Sequence, residues 1–159
     1  MPPNGPTHFV LPSLVDRLEN GKPNGRGQSV TQLETAVLRD LEWLLNTRAT
    51  GEAPPDEMEA LQASLYSYGL PDLSSLSASS SQHRTRIRLA IQRSIEQFEP
   101  RLTDVSVHEM EPDTRNRASL RFLITGLLRT EPAPKEITFD TVLDLSRGEF
   151  RIGGGARET

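Results

Sequence analysis

The hydrophobic period of this chain changes once, at Glu99-Pro100-Arg101, and that change limits the fold to helices followed by a sheet. Before the switch, apolar residues recur at helical spacing. Ser29 is placed to cap a helix, and Gln32 completes a capping-box pattern. Val30, Leu33, Val37, Leu41 and Leu44 then form a stripe, widened by Leu38 and Leu45, that runs to about Asn46. Gly51, Pro54 and Pro55 break it. A second stripe, Ile87, Ile91, Ile95 and Phe98, predicts a helix over 83–98. Pro100 stops it, because proline lacks an amide hydrogen and disfavours helical geometry in the residue before it.

After the switch the period is two. Val105 and Val107 alternate with polar residues, and Ala118, Leu120, Phe122 and Ile124 do the same. Ile137, Phe139, Thr141, Leu143 and Leu145 form one face of a third strand. Phe150 and Ile152 form a short last one. Turns are expected at 111–116, at Pro132 and Pro134, and at 146–149. The expected fold is α+β, with N-terminal helices packed on one face of a small, mainly antiparallel sheet from the C-terminal half. Between the helices, Met58, Leu61 and Leu65 predict a short helix within 56–70. Tyr66 to Leu73 reads as a loop packed onto the domain, and 74–81 as a serine-rich hinge. The expected organisation is a flexible N-terminal segment over 1–28 with an apolar docking patch at 9–18, one domain over 29–152, and a flexible glycine-led tail over 153–159.

Composition removes several function classes. The chain has no cysteine, which excludes disulfides, thiol catalysis and cysteine-ligated metals. Its net charge of −4 gives no overall basic field to attract nucleic acid or an anionic membrane. No apolar run approaches the roughly 20 residues needed to cross a bilayer, and the N-terminus lacks the pattern of a signal peptide, so a cytoplasmic location is expected. His8, His83 and His108 lack ligand spacing, so no metal site is expected, and no cofactor motif is present.

Glu96, Glu99, Asp104 and Glu111 cluster near the helix-to-strand corner. A glycosidase needs two carboxylates about 5–10 Å apart in a groove. Aromatic residues are only 5% of the chain, which argues against a sugar platform, so these acids read as solvated surface groups and no catalytic residue is expected. Arg84, Arg86, Arg88 and Arg93 make one helix basic. They read mostly as a solvated face paired with Glu96 and Glu99, with docking of an acidic partner or a nucleic-acid backbone as the competing use. Arg101 stands apart, because a guanidinium just past a proline-stiffened joint can hold a carboxylate bidentately.

Residues 95–102, Ile-Glu-Gln-Phe-Glu-Pro-Arg-Leu, resemble the signature of the TssE family of type VI secretion baseplate subunits and of the related tailed-phage baseplate wedge proteins. Residues 12–18, 38–48 and 67–73 are similar to further TssE stretches, in the family's order. The resemblance implies a non-enzymatic structural subunit of a cytoplasmic baseplate assembled at the inner membrane. It implies a place in the wedge beside TssF and TssG, contact with the first sheath ring of TssB and TssC, and a fold similar to the sheath domain whose neighbours exchange strands. It also implies that Glu99, Pro100 and Arg101 matter for assembly. The family's older lysozyme-like label implies a muramidase as the alternative. The strand at 137–145 and the segment at 150–152 are the candidates for receiving a partner strand, and weak self-association through such an edge is expected.

Overall fold

The computed structural model describes residues 29–49, 54–55, 57–62, 64–111, 118–130 and 133–154. The expected patch at 9–18, the turn residues 112–116, Pro132 and the end of the tail from Gly155 lie outside the described residues. Helix α1 spans Val30–Asn46, and Ser29 caps it with both halves of the capping box in place. A short α2, Glu59–Gln62, and a 3-10 turn, Leu65–Ser67, follow. They do not bury the stripe expected there, since Met58 and Leu65 stay exposed. Helix α3 spans Ser81–Phe98. It begins two residues before the expected start because Ser80 Oγ accepts from the His83 amide and caps it.

Strands β1 (Leu102–Glu109), β2 (Ser119–Leu128), β3 (Lys135–Asp144) and β4 (Glu149–Gly154) then form one antiparallel sheet in the order β1-β2-β3-β4. The fold is α+β, as the switch in period requires. The core lies between α1, α3 and one sheet face. Leu33, Val37 and Leu41 from α1, Ile87, Ile91 and Ile95 from α3, and Phe122 and Ile124 from β2 are all nearly inaccessible to solvent.

Three details differ from the sequence expectation. The strand at 137–145 is not an edge. It is β3, paired with β2 on one side and β4 on the other, so its backbone groups are already used and it cannot accept a partner strand. Alternation identifies faces but says nothing about strand order. Second, β4 takes in Gly153 and Gly154, which pair with Asp140 and Phe139, because ladder hydrogen bonds need no side chain. Third, β1 carries a register shift between Thr103 and Ser106, where Asp104 adopts φ of 51°. That is a β-bulge, and it bends the strand just after the corner.

One core position is polar. Thr141 is fully buried, and its hydroxyl has no hydrogen-bond partner among the described residues. Burying an unpaired hydroxyl is costly, and valine has nearly the same shape. Thr141→Val is therefore expected to raise stability by about 1 kcal/mol. A urea titration checks this: the midpoint rises at unchanged slope, and a fall would mean that the hydroxyl is satisfied.

Candidate functional site

The corner between α3 and β1 is built by an acid that turns inward. Glu99 is the C-cap of α3, where its amide donates to Ile95 O, and it is only 3% exposed. Its Oε1 accepts from the Arg101 amide at 3.2 Å and from Arg101 Nε at 2.7 Å. Its Oε2 accepts from Arg101 Nη2. The same Nη2 donates to Asp40 Oδ2 on α1 at 2.6 Å. Asp40 Oδ1 in turn accepts from Arg39 Nε at 3.1 Å and from Arg39 Nη2 at 3.0 Å. Arg101 O accepts from the Arg129 amide just beyond β2. One arginine thus ties together the end of one helix, the middle of another and the start of the sheet.

Burial of Arg101 works against its charge, but the hydrogen bonds and charges of Glu99 and then Asp40 outweigh that effect. Its pKa lies above the ordinary arginine value, and the guanidinium stays charged. An aromatic wall closes the corner. Tyr68 and Phe98 meet edge to face with centroids 5.3 Å apart. Trp43 is half exposed, and the Arg39 guanidinium lies 4.9 Å from its ring centre. Pro100 is exposed beside them.

This corner lies inside the stretch that settles the family. Residues 31–133, well over half of the 159-residue chain, match the family model of the baseplate wedge protein gp25. The chain belongs to the baseplate wedge protein gp25 family. A solved chain described as "The baseplate complex from the type VI secretion system" is similar at 16% identity and a TM-score of 0.47, over 69% of this chain and 93% of that one. No curated protein matches the sequence.

In this gp25-family chain, Glu99 and Arg101 meet across the joint, and Pro100 sits between them at the surface. Sequence reasoning missed Asp40 as the third member. The signal was faint: an acid on the first helix, three residues before a tryptophan. The other acids do not join the corner. Glu96 is exposed and accepts from Gln92 Nε2, Asp104 lies in the β1 bulge, and Glu111 is exposed. Both oxygens of Glu99 accept from Arg101.

The arginine face of α3 does not pair with Glu96 and Glu99 as expected. Arg84 Nε instead meets Glu109 of β1 at 2.6 Å, and Arg88 Nη1 reaches Val107 O at 3.5 Å, while Arg86 and Arg93 are exposed. Two of the four arginines thus tie α3 to β1. Among the described residues, no group of three metal-binding side chains is present, and no helix is long and apolar enough to cross a membrane.

Tyr68 reports the electrostatics of the corner. Burial opposes its ionisation first, then the charges of Asp40 and Glu99, so its pKa lies above the ordinary 10.0. From that ordinary value upward the folded state holds more protons than the unfolded chain, so stability falls as pH rises there. Ultraviolet titration of tyrosinate is expected to show a component above the ordinary range that Tyr68→Phe abolishes. Its persistence in that variant would remove the assignment.

Proposed function

We propose that the chain is a non-enzymatic structural component of a type VI secretion baseplate, in the role TssE plays. In this role it joins the wedge, through TssF and TssG, to the first sheath ring of TssB and TssC. Membership of the baseplate wedge family over residues 31–133 carries the baseplate part of this reading. The type VI part rests on the resemblance of the stretches 12–18, 38–48, 67–73 and 95–102.

The corner supplies a mechanism. Glu99, Pro100 and Arg101 fix the direction in which β1 leaves α3, and β1 is one edge of the sheet. The other edge is β4. There the side chain of Asn46 already occupies Phe150, since its Oδ1 accepts from the Phe150 amide at 2.8 Å and its Nδ2 donates to Phe150 O at 3.0 Å. Outward-facing residues alternate along an antiparallel edge, so Ile152 is the next position with its N–H and C=O turned away from β3. A partner strand completes the sheet at such an edge, with main-chain bonds giving affinity and the corner fixing its angle.

The test uses Arg101→Lys, which keeps the charge but removes the planar fork that serves two acids. After circular dichroism shows the variant folded, it is mixed with purified wedge and sheath proteins. Loss of co-assembly is expected. A folded variant that assembles like the parent protein would sink the role given to this corner.

A further inference from the structure

A second crevice lies between the end of α1, the loop at Leu70 and the β3–β4 turn. It shares no lining residue with the Arg101 corner. Its wall is apolar: Leu45, Leu70, Leu143 and Phe150 are buried core residues that reach its floor, and Leu73 and Leu145 are only partly covered. Its charged lining is Arg48 and Arg147, both exposed, with no acid in the lining. Arg48 packs on the turn, its Nη2 only 3.2 Å from where a side chain at Gly148 would begin, and this brings it close to Arg147. The adjoining crevice adds Arg151 together with Glu42 and Glu149.

None of these three arginines forms an ion pair among the described residues. Two acids beside the crevice, Asp72 and Asp144, are held elsewhere, and Glu42 and Glu149 of the adjoining crevice are exposed and form no ion pair with these arginines among the described residues. Asp72 is bound first by the Ser74 amide and then by its hydroxyl, with Arg48 acting only at longer range. Asp144 is bound first by the Ser146 hydroxyl and then by its amide, with Arg147 again the weaker influence. Both carboxylates therefore spend their lone pairs in local turns. A cationic mouth over a leucine wall, on a chain of net charge −4, runs against the overall field.

We infer that this crevice binds an acidic segment of another polypeptide that carries a large apolar side chain beside its carboxylates. An inorganic anion would use the guanidiniums and leave the apolar wall wet. A purely apolar segment would leave the guanidiniums without a partner. Only a ligand with both features uses the whole lining, and charge complementarity selects the acidic one.

Fluorescence anisotropy tests this with a labelled probe peptide of alternating leucine and glutamate, and with its leucine–glutamine counterpart. The acidic probe is expected to bind, with an affinity that falls as salt is raised. Arg48→Gln with Arg147→Gln is expected to weaken it about tenfold, two exposed but fork-forming cations being removed. Arg86→Gln, on the exposed face of α3, is expected to leave it unchanged, and thermal melts show whether each variant is folded. Equal binding of the glutamine probe, unchanged binding by the folded double variant, or no binding of the acidic probe would each overturn the inference. So would tighter binding of a single-stranded DNA oligonucleotide through the same arginines, which would make the site one for nucleic acid. Since the Arg101 corner shares no lining residue with this crevice, failure here leaves the role given to that corner untouched.

Discussion

Arg101→Ala is expected to lower the unfolding free energy by about 3 kcal/mol, the lower end of the cost of breaking a buried ion pair. The figure sits at that end because the Arg101 side chain is 23% exposed, and water can enter where it stood. The cost arises mainly from Glu99, whose side chain is 4% exposed and would keep a desolvated charge with no cation beside it. Asp40 would still have Arg39. The melting temperature should fall by on the order of 10 °C. A double-mutant cycle separates loss of the pair from loss of packing. Glu99→Gln removes the charge that the first change strands, so the double variant should be more stable than the sum of the two single effects predicts, by about 1–3 kcal/mol. Strict additivity would mean that Glu99 is solvated when Arg101 is gone. The corner would then be a surface ion pair worth little, and its rigidity could not be the reason β1 leaves at a fixed angle.

What was legible before the structure, and what was not, follows from the range of each interaction. The capping box at Ser29 and Gln32 and the apolar stripe of α1 are local, and both stand in the fold. The switch of period at 99–101 is also local, and it separates α3 from β1 where it should. Strand order is not local. Nothing in the alternation of Ile137, Phe139 and Leu143 tells a central strand from an edge, because both bury one face. The partnership of Asp40 with Arg101 spans 61 positions, and helix spacing cannot reveal it. The same limit misdirected the arginines of α3. Helical spacing offered Glu96 and Glu99 as partners, but Glu99 turns inward at the cap and Arg84 finds Glu109 across the next connection. The bulge at Asp104 left one trace, an aspartate, which tolerates positive φ better than most residues.

Gly69→Ala is expected to cost more than the corner variant, about 4 kcal/mol, although no charge is touched and only a methyl group is added. Gly69 adopts φ of 111°, a conformation that side-chain-bearing residues rarely take. A Cβ there would lie 2.4 Å from Thr47 O and 2.8 Å from Thr47 C. Both are backbone atoms, so no rotamer change can relieve the overlap. The segment is also pinned from three sides. Leu70 N donates to Thr47 O at 2.8 Å, Ala49 N donates to Leu70 O at 2.9 Å, and Ser94 Oγ of α3 donates to Gly69 O at 3.0 Å. Moving Gly69 away from Thr47 must break at least the first of these, at about 1 kcal/mol beyond the dihedral strain. Leu70, 2% exposed, would be pulled from the core in the same movement. The expected result is a lower denaturant midpoint together with faster amide exchange at Ala49 and Leu70, the donors of the two backbone bonds. A variant as stable as the parent would show that the loop accepts another path past the end of α1. Tyr68 and Leu70 would then not be fixed by that passage, and the aromatic wall of the Arg101 corner and the floor of the second crevice would be adjustable surfaces rather than rigid ones.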